Sequence, residues 1–129
     1  MLLFGHPHIT HEKLYHISSI EAIEHTPPNS TLLFSYDNEV FELIAYAREN
    51  ALDFALDISS LKEAIISENL DAKYLLVQHE IAKRVQKAAD TYLFDAKVLV
   101  HAETEESIEA LANEGIDGLI LAEAIIKVS

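Results

Sequence analysis

The chain has 129 residues, half of them hydrophobic, no cysteine, and nine Lys and Arg against twenty-two Asp and Glu, a formal net charge of −13. That length suits one domain able to bury its own core, and the missing cysteine excludes disulfides, thiolate nucleophiles and Cys-ligated zinc. A surface this acidic repels phosphate backbones and anionic lipid, so nucleic acid and membranes are excluded as partners.

The N-terminal MLLF is too short for a signal-peptide core, and no apolar run approaches the ~18–20 residues that span a bilayer. A soluble, cytoplasmic protein is expected. GHPHITHEK follows, placing His6 and His8 as an HxH pair just after a possible strand. Metal-dependent hydrolases use that arrangement to supply two ligands to one ion. Residues 1–30 are otherwise the less regular part of the chain. LYHI (14–17) offers a further strand, and Ser18-Ser-Ile-Glu21 has the pattern of a capping box opening a short helix through Ile20 and Ile23. Thr26-Pro27-Pro28-Asn29-Ser30 then breaks it.

From residue 31 the pattern becomes regular. TLLFSY (31–36), DFALDI (53–58), KYLLVQ (73–78), AKVLVH (96–101) and GLILAE (118–123) are short, continuous, β-prone apolar runs. Such runs suit parallel strands covered on both sides. Between them, apolar residues recur at helical spacing: Val40, Leu43, Ile44 and Ala47; Leu61, Ala64 and Ile65; Ile81, Ala82, Val85, Ala88 and Ala89; Ile108, Leu111 and Ala112. Ser60-Leu-Lys-Glu63 reads as a capping box, Thr104 precedes two first-turn glutamates, and Gly115 sits where a C-terminal cap belongs. Alternating strands and helices predict an α/β fold over 1–129: a single three-layer domain, five or six mostly parallel strands with helices on both faces, flavodoxin- or Rossmann-like. The runner-up is a half (β/α) barrel that pairs with a second copy, since a full eight-fold barrel needs at least ~200 residues. EGIDGLIL (114–121) resembles the Gly-Ile/Ala-Asp-Gly strand openings of (β/α) barrel enzymes, without their phosphate-binding glycines.

NLDAKYLLVQHE (69–80) and LFDAKVLVHAE (93–103) echo one another. Their aspartates, with Asp53 and Asp117, stand at the amino ends of strands, where a short acceptor bonds local amides and helps end a helix. Ligands of parallel sheets gather at the opposite, carboxyl edge. There the sequence offers Asp37, Asp57, His79, His101 and Glu123, oxygen and imidazole groups able to bind a divalent cation or share acid–base work. His6 and His8 are the further metal-ligand candidates.

No glycine-rich phosphate cradle occurs, and the helix starts are occupied by acids, so nucleotides are disfavoured. The basic knot Lys83, Arg84 and Lys87 reads as a solvated helix face. No catalytic motif being present, the sequence predicts a non-catalytic binding or regulatory module without a cofactor, forming a homo-oligomer and open to a protein partner. The alternative is a divalent-metal-dependent hydrolase with its His/carboxylate site at the carboxyl edge.

Overall fold

The computed structural model describes residues 1–128. The strands are β1 (Leu2–Phe4), β2 (Leu14–His16), β3 (Thr31–Ser35), β4 (Phe54–Asp57), β5 (Tyr74–Val77), β6 (Lys97–Ala102), β7 (Gly118–Leu121) and β8 (Ile125–Lys127). The helices are α1 (Ile20–Ile23), α2 (Val40–Glu49), α3 (Leu61–Asn69), α4 (His79–Thr91) and α5 (Ile108–Asn113). The strands form one eight-stranded parallel sheet in the order β1-β7-β6-β5-β4-β3-β2-β8. Among the described residues no helix is long and apolar enough to cross a membrane.

The α/β class and the parallel sheet are as the sequence predicts, and of the two arrangements weighed the structure takes the curled one, a half-barrel. Chain reach forces the curl. β7 and β8 are six places apart in the strand order, which in a flat sheet would separate them by ~29 Å at about 4.8 Å per strand. Only residues 122–124 connect them, and the four steps from Leu121 to Ile125 span at most ~14 Å. The sheet therefore bends until its far strands meet, β8 pairing with β2 while β7 pairs with β1.

Curling gives the two faces different partners. Side chains of all five helices pack with Leu32, Phe34, Phe54, Leu56, Leu75, Val77, Val98, Val100 and Leu119 on the convex face. The concave face carries a second cluster of Phe4, Leu14, Leu33, Ala55, Tyr74, Leu76, Leu99, Ile120 and Ala124, to which no α-helix contributes. Helices thus cover one face, and the strands fill the other themselves. The concave face is buried within a single chain, so a second copy is not needed to cover it. This packing leaves no room at Gly118, where a Cβ would stand 2.6 Å from the Leu2 carbonyl oxygen and 2.8 Å from a Leu99 methyl.

Each of α2 to α5 ends by one device. A residue in the left-handed conformation follows the helix: Ala51, Asp71, Leu93 and Gly115. The next residue is apolar, and its N–H donates back to a carbonyl in the last turn, Leu52 to Ala47, Ala72 to Ser67, Phe94 to Ala89 and Ile116 to Leu111. This device also dissolves the Asp-Ala-Lys echo. Asp71 is itself the left-handed residue, whereas Asp95 lies beyond the apolar residue Phe94, and Lys97 pairs in register with Tyr74 rather than matching Lys73. The expected local bonds from the aspartates also differ: Asp117 accepts from the Val98 amide of the neighbouring strand at 2.9 Å, and Asp71 pairs with Arg48 at 3.1 Å.

Two substitutions test these features by denaturant unfolding. Gly118→Ala must push β1 away from β7, and overpacking of this kind costs about 1–3 kcal/mol. Leu93 is 83% exposed with φ 53°. Leu93→Gly removes a left-handed penalty of roughly 1–2 kcal/mol against a smaller entropic loss, for a net gain of up to about 1 kcal/mol. A loss of stability in Leu93→Gly would mean that the side chain is packed in solution.

Candidate functional site

Alternation along the strands builds the mouth of the half-barrel. Leu14, Leu33, Ala55 and Leu99 face the concave core, so the residues two positions on, His16, Ser35, Asp57 and His101, point the same way at the carboxyl ends. The imidazole Nε2 of His101 lies 3.1 Å from Asp57 Oδ2, across β5. His16 Nε2 lies 3.0 Å from Ser35 Oγ, and Ser35 and Asp57 are register partners on β3 and β4. Of the predicted edge residues, then, Asp57 and His101 come together. His16 and Ser35 complete the band but were not singled out as edge candidates, although the same step of two from Leu14 and Leu33 marks them.

The other edge candidates go elsewhere. Asp37 is exposed and its Oδ1 accepts the Glu39 amide at 2.9 Å, a turn-stabilising role just ahead of α2. His79 opens α4 on the outer layer and meets Glu114 Oε1 at 3.2 Å. Glu123 is exposed in the turn between β7 and β8, close to the N-terminal histidines.

Residues 5–13 leave the carboxyl end of β1, run beside the ends of β6 and β7, and descend to the amino end of β2, where Glu12 meets the first residues of β3 and β5. Gly5 makes the departure at φ +89°, a conformation that disfavours L side chains, and a Cβ there would press on the Leu121 carbonyl oxygen at 3.2 Å. Two polar contacts hold this segment. On its outer side His6, 15% exposed, places Nε2 2.5 Å from Glu105 Oε2. The His8 amide donates to His6 Nδ1 at 3.1 Å, so Nδ1 is the acceptor and the proton resides on Nε2, facing the carboxylate. Both ring nitrogens of His6 are thereby occupied, and neither has a lone pair free for a metal. His8 is exposed, 5.8 Å from His6 between ring centroids.

On its inner side the segment is anchored by Glu12, a residue that no local pattern marks. Its carboxylate accepts from Thr31 Oγ1 at 2.5 Å and from the Tyr74 hydroxyl, with Lys73 Nζ 3.2 Å away. Burial alone would raise the Glu12 pKa, but hydrogen bonds from Thr31, Tyr74 and Lys73, with the Lys73 charge, outweigh it and hold the carboxyl below its ordinary value. Burial and the bond to Glu12 push the Tyr74 phenol upward, so it remains the donor. His11 packs against Phe4 with ring centroids 3.8 Å apart and planes tilted by 33°, and its Nδ1 accepts the Glu12 amide at 2.9 Å.

Between this segment and the ends of β6 and β7 lies a cavity of about 450 Å³ lined by Gly5, His6, Pro7, His8, Glu103, Thr104, Glu105, Leu121 and Glu123. The N-terminal histidines do reach the carboxyl edge, but at this cavity rather than at Asp57 and His101. Among the described residues, no three His, Asp or Glu side chains converge on a point able to hold a metal ion. The convergence expected of a metal-dependent hydrolase is therefore not formed, because its residues are divided between the mouth, the outer helices and the N-terminal segment.

The Glu12 anchor has a pH signature. Its folded-state pKa is depressed below 4.5, so the stability it adds is present above that value and is lost as pH falls through the lower, folded-state pKa. Glu12→Gln is expected to cost about 1.5–3 kcal/mol at pH 7, the range for hydrogen bonds to a charged group. In urea titrations from pH 7 to 3 the gap to the parent protein should close at the acid end; a gap independent of pH would show that the carboxylate charge is not what anchors the segment.

No protein-family model matches the chain, and no curated protein resembles it significantly in sequence.

Proposed function

We propose that the protein is a non-catalytic binding module that receives a cationic group, an amine or guanidinium carried by a protein partner, in the cavity beside His6 at the carboxyl edge. The observation that carries this reading is the lining of that cavity: Glu103, Glu105 and Glu123 together with His6, His8 and Thr104, and no Lys or Arg. Carboxylates so placed attract cations and accept the hydrogen bonds of an ammonium or guanidinium group. Glu103 and Glu123 are exposed and make no side-chain hydrogen bond or ion pair among the described residues, so their acceptor capacity is open to a ligand. The net charge of −13 adds long-range steering of cations toward the surface.

Argininamide is a suitable probe, because it carries the guanidinium and a second positive charge without a polymer. Amide chemical shifts should move at residues 5–8, 103–105 and 121–123 as it is titrated. Glu103→Gln/Glu105→Gln/Glu123→Gln should weaken its binding at least tenfold, the equivalent of about 1.4 kcal/mol. Shifts spread evenly over the acidic surface, or unchanged affinity in the variant, would defeat the reading. Thermal melts with Mn²⁺, Zn²⁺ and Mg²⁺ test the hydrolase alternative in parallel, since an ion bound only by the native state raises the midpoint.

A further inference from the structure

The basic knot predicted as a solvated face has a more specific setting. Lys83, Arg84 and Lys87, three of the nine Lys and Arg, line one groove of about 390 Å³ on α4, together with Gln86, Asp90 and Glu114. All three are exposed, and among the described residues none forms an ion pair within 4.0 Å, although the chain holds twenty-two acids. Asp90, an acid of α4 that lines the same groove, is taken by Gln86 Nε2 at 2.9 Å, and Gln86 Oε1 in turn accepts the Asp117 amide at 2.9 Å. Glu114 contributes a second irregularity: its Oε1 meets His79, while its Oε2 is buried without a hydrogen-bond partner. Sealed from solvent, that oxygen is out of reach of a docked partner, so the groups the groove offers to one are its cations.

The groove therefore presents three cations that are unpaired among the described residues. The cavity beside His6 presents the complement, three glutamates with the donors Thr104 and His8 among them. Within one chain the two sets do not meet. We infer that they meet between copies: the His6 cavity edge of one chain docks on the α4 groove of the next. The inference rests on the reading of that cavity as a cation site and names its occupant as Lys83, Arg84 and Lys87 of a second copy. Because the two surfaces differ, the contact is heterologous, head to tail, and propagates into rings or short filaments rather than closing as a two-fold dimer. Short-range attraction at the docked surfaces coexists with the overall negative charge because salt at physiological strength screens charges beyond about 8 Å.

Sedimentation velocity on the intact chain tests this. The parent protein should show a weight-average mass that rises with concentration. Lys83→Gln/Arg84→Gln/Lys87→Gln and Glu103→Gln/Glu105→Gln/Glu123→Gln should each be monomeric alone, with circular dichroism melts confirming that both are folded. Mixed in equal amounts, they retain one intact groove and one intact cavity between them, so the mixture should stop at a one-to-one dimer. A parent protein that is monomeric up to about 1 mM would overturn the inference. So would a mixture that stays monomeric while the parent associates, because the interface would then lie elsewhere. Argininamide binding in a strictly monomeric parent would leave the cavity reading standing and the docking inference refuted; failure of both would remove both.

Discussion

Three residues, 122–124, separate β7 from β8, and that short tether determines the shape of the whole domain. A strand ending at Leu121 must be followed almost at once by one that pairs with β2, at the other side of the sheet. No flat sheet satisfies this, so the sheet rolls, and its two faces become chemically unlike. The convex face is wide enough for α2 to α5 to lie side by side. The concave face admits no helix and has to be filled by strand side chains, which explains why Phe4, Leu14, Leu76, Leu99 and Ile120 form their own cluster. The same crowding leaves only hydrogen on the inward side of residue 118.

Closure in turn constrains the N-terminal segment. β1 and β2 are parallel and flank β7 and β8 respectively, so residues 5–13 have to run from the carboxyl end of one strand to the amino end of the other. Such a crossing exposes backbone and brings polar side chains against the core. Glu12 resolves this on the inner side by collecting donors from Thr31 and Tyr74 and the charge of Lys73, while His6 and Glu105 fix the outer side. The cavity beside His6 is the space this crossing leaves over the ends of β6 and β7. The candidate site is thus a product of how the half-barrel closes rather than of a motif.

Much of the fold could be read from local signals, because those signals are local in origin. The five regular strands and LYHI fall within a residue or two of where apolar runs predict them. The Ser60 cap forms as expected, its Oγ accepting the Glu63 amide at 3.1 Å, while the Glu63 carboxylate takes the Ser59 amide in place of that of Ser60. The first cap moves by one residue, to Ser19. What local pattern could not reveal was set by closure. β8, three residues long, is a strand only because β2 lies beside it. Period-two alternation held in the sequence the information that Asp57 and His101 share a face; that they touch across β5 depends on the curl. Glu12 carried no signal at all, since its partners Thr31, Tyr74 and Lys73 lie 19, 62 and 61 residues away in the chain. His79 was misleading because its place at a strand end matched that of His101, yet it opens α4 and turns outward to Glu114.

The acids themselves divide along the same line. Those near the amino ends of the strands are engaged in holding the fold: Glu68 accepts the amides of Asp95 and Ala96 at 3.2 and 3.0 Å, Asp117 that of Val98, and Asp71 pairs with Arg48. Around the cavity beside His6, by contrast, Glu103 and Glu123 have no such side-chain partner among the described residues, and of its three glutamates Glu105 alone is committed, to His6. Mutual repulsion among unpartnered carboxylates works against the compact state and does nothing for the fold. A chain with nine cations could have neutralised that edge with Lys83, Arg84 or Lys87, and instead it keeps all three on α4, without an ion pair among the described residues. Two unbalanced surfaces of opposite sign on one small domain each lower the cost of the other only when something brings them together, and in a single folded chain nothing does.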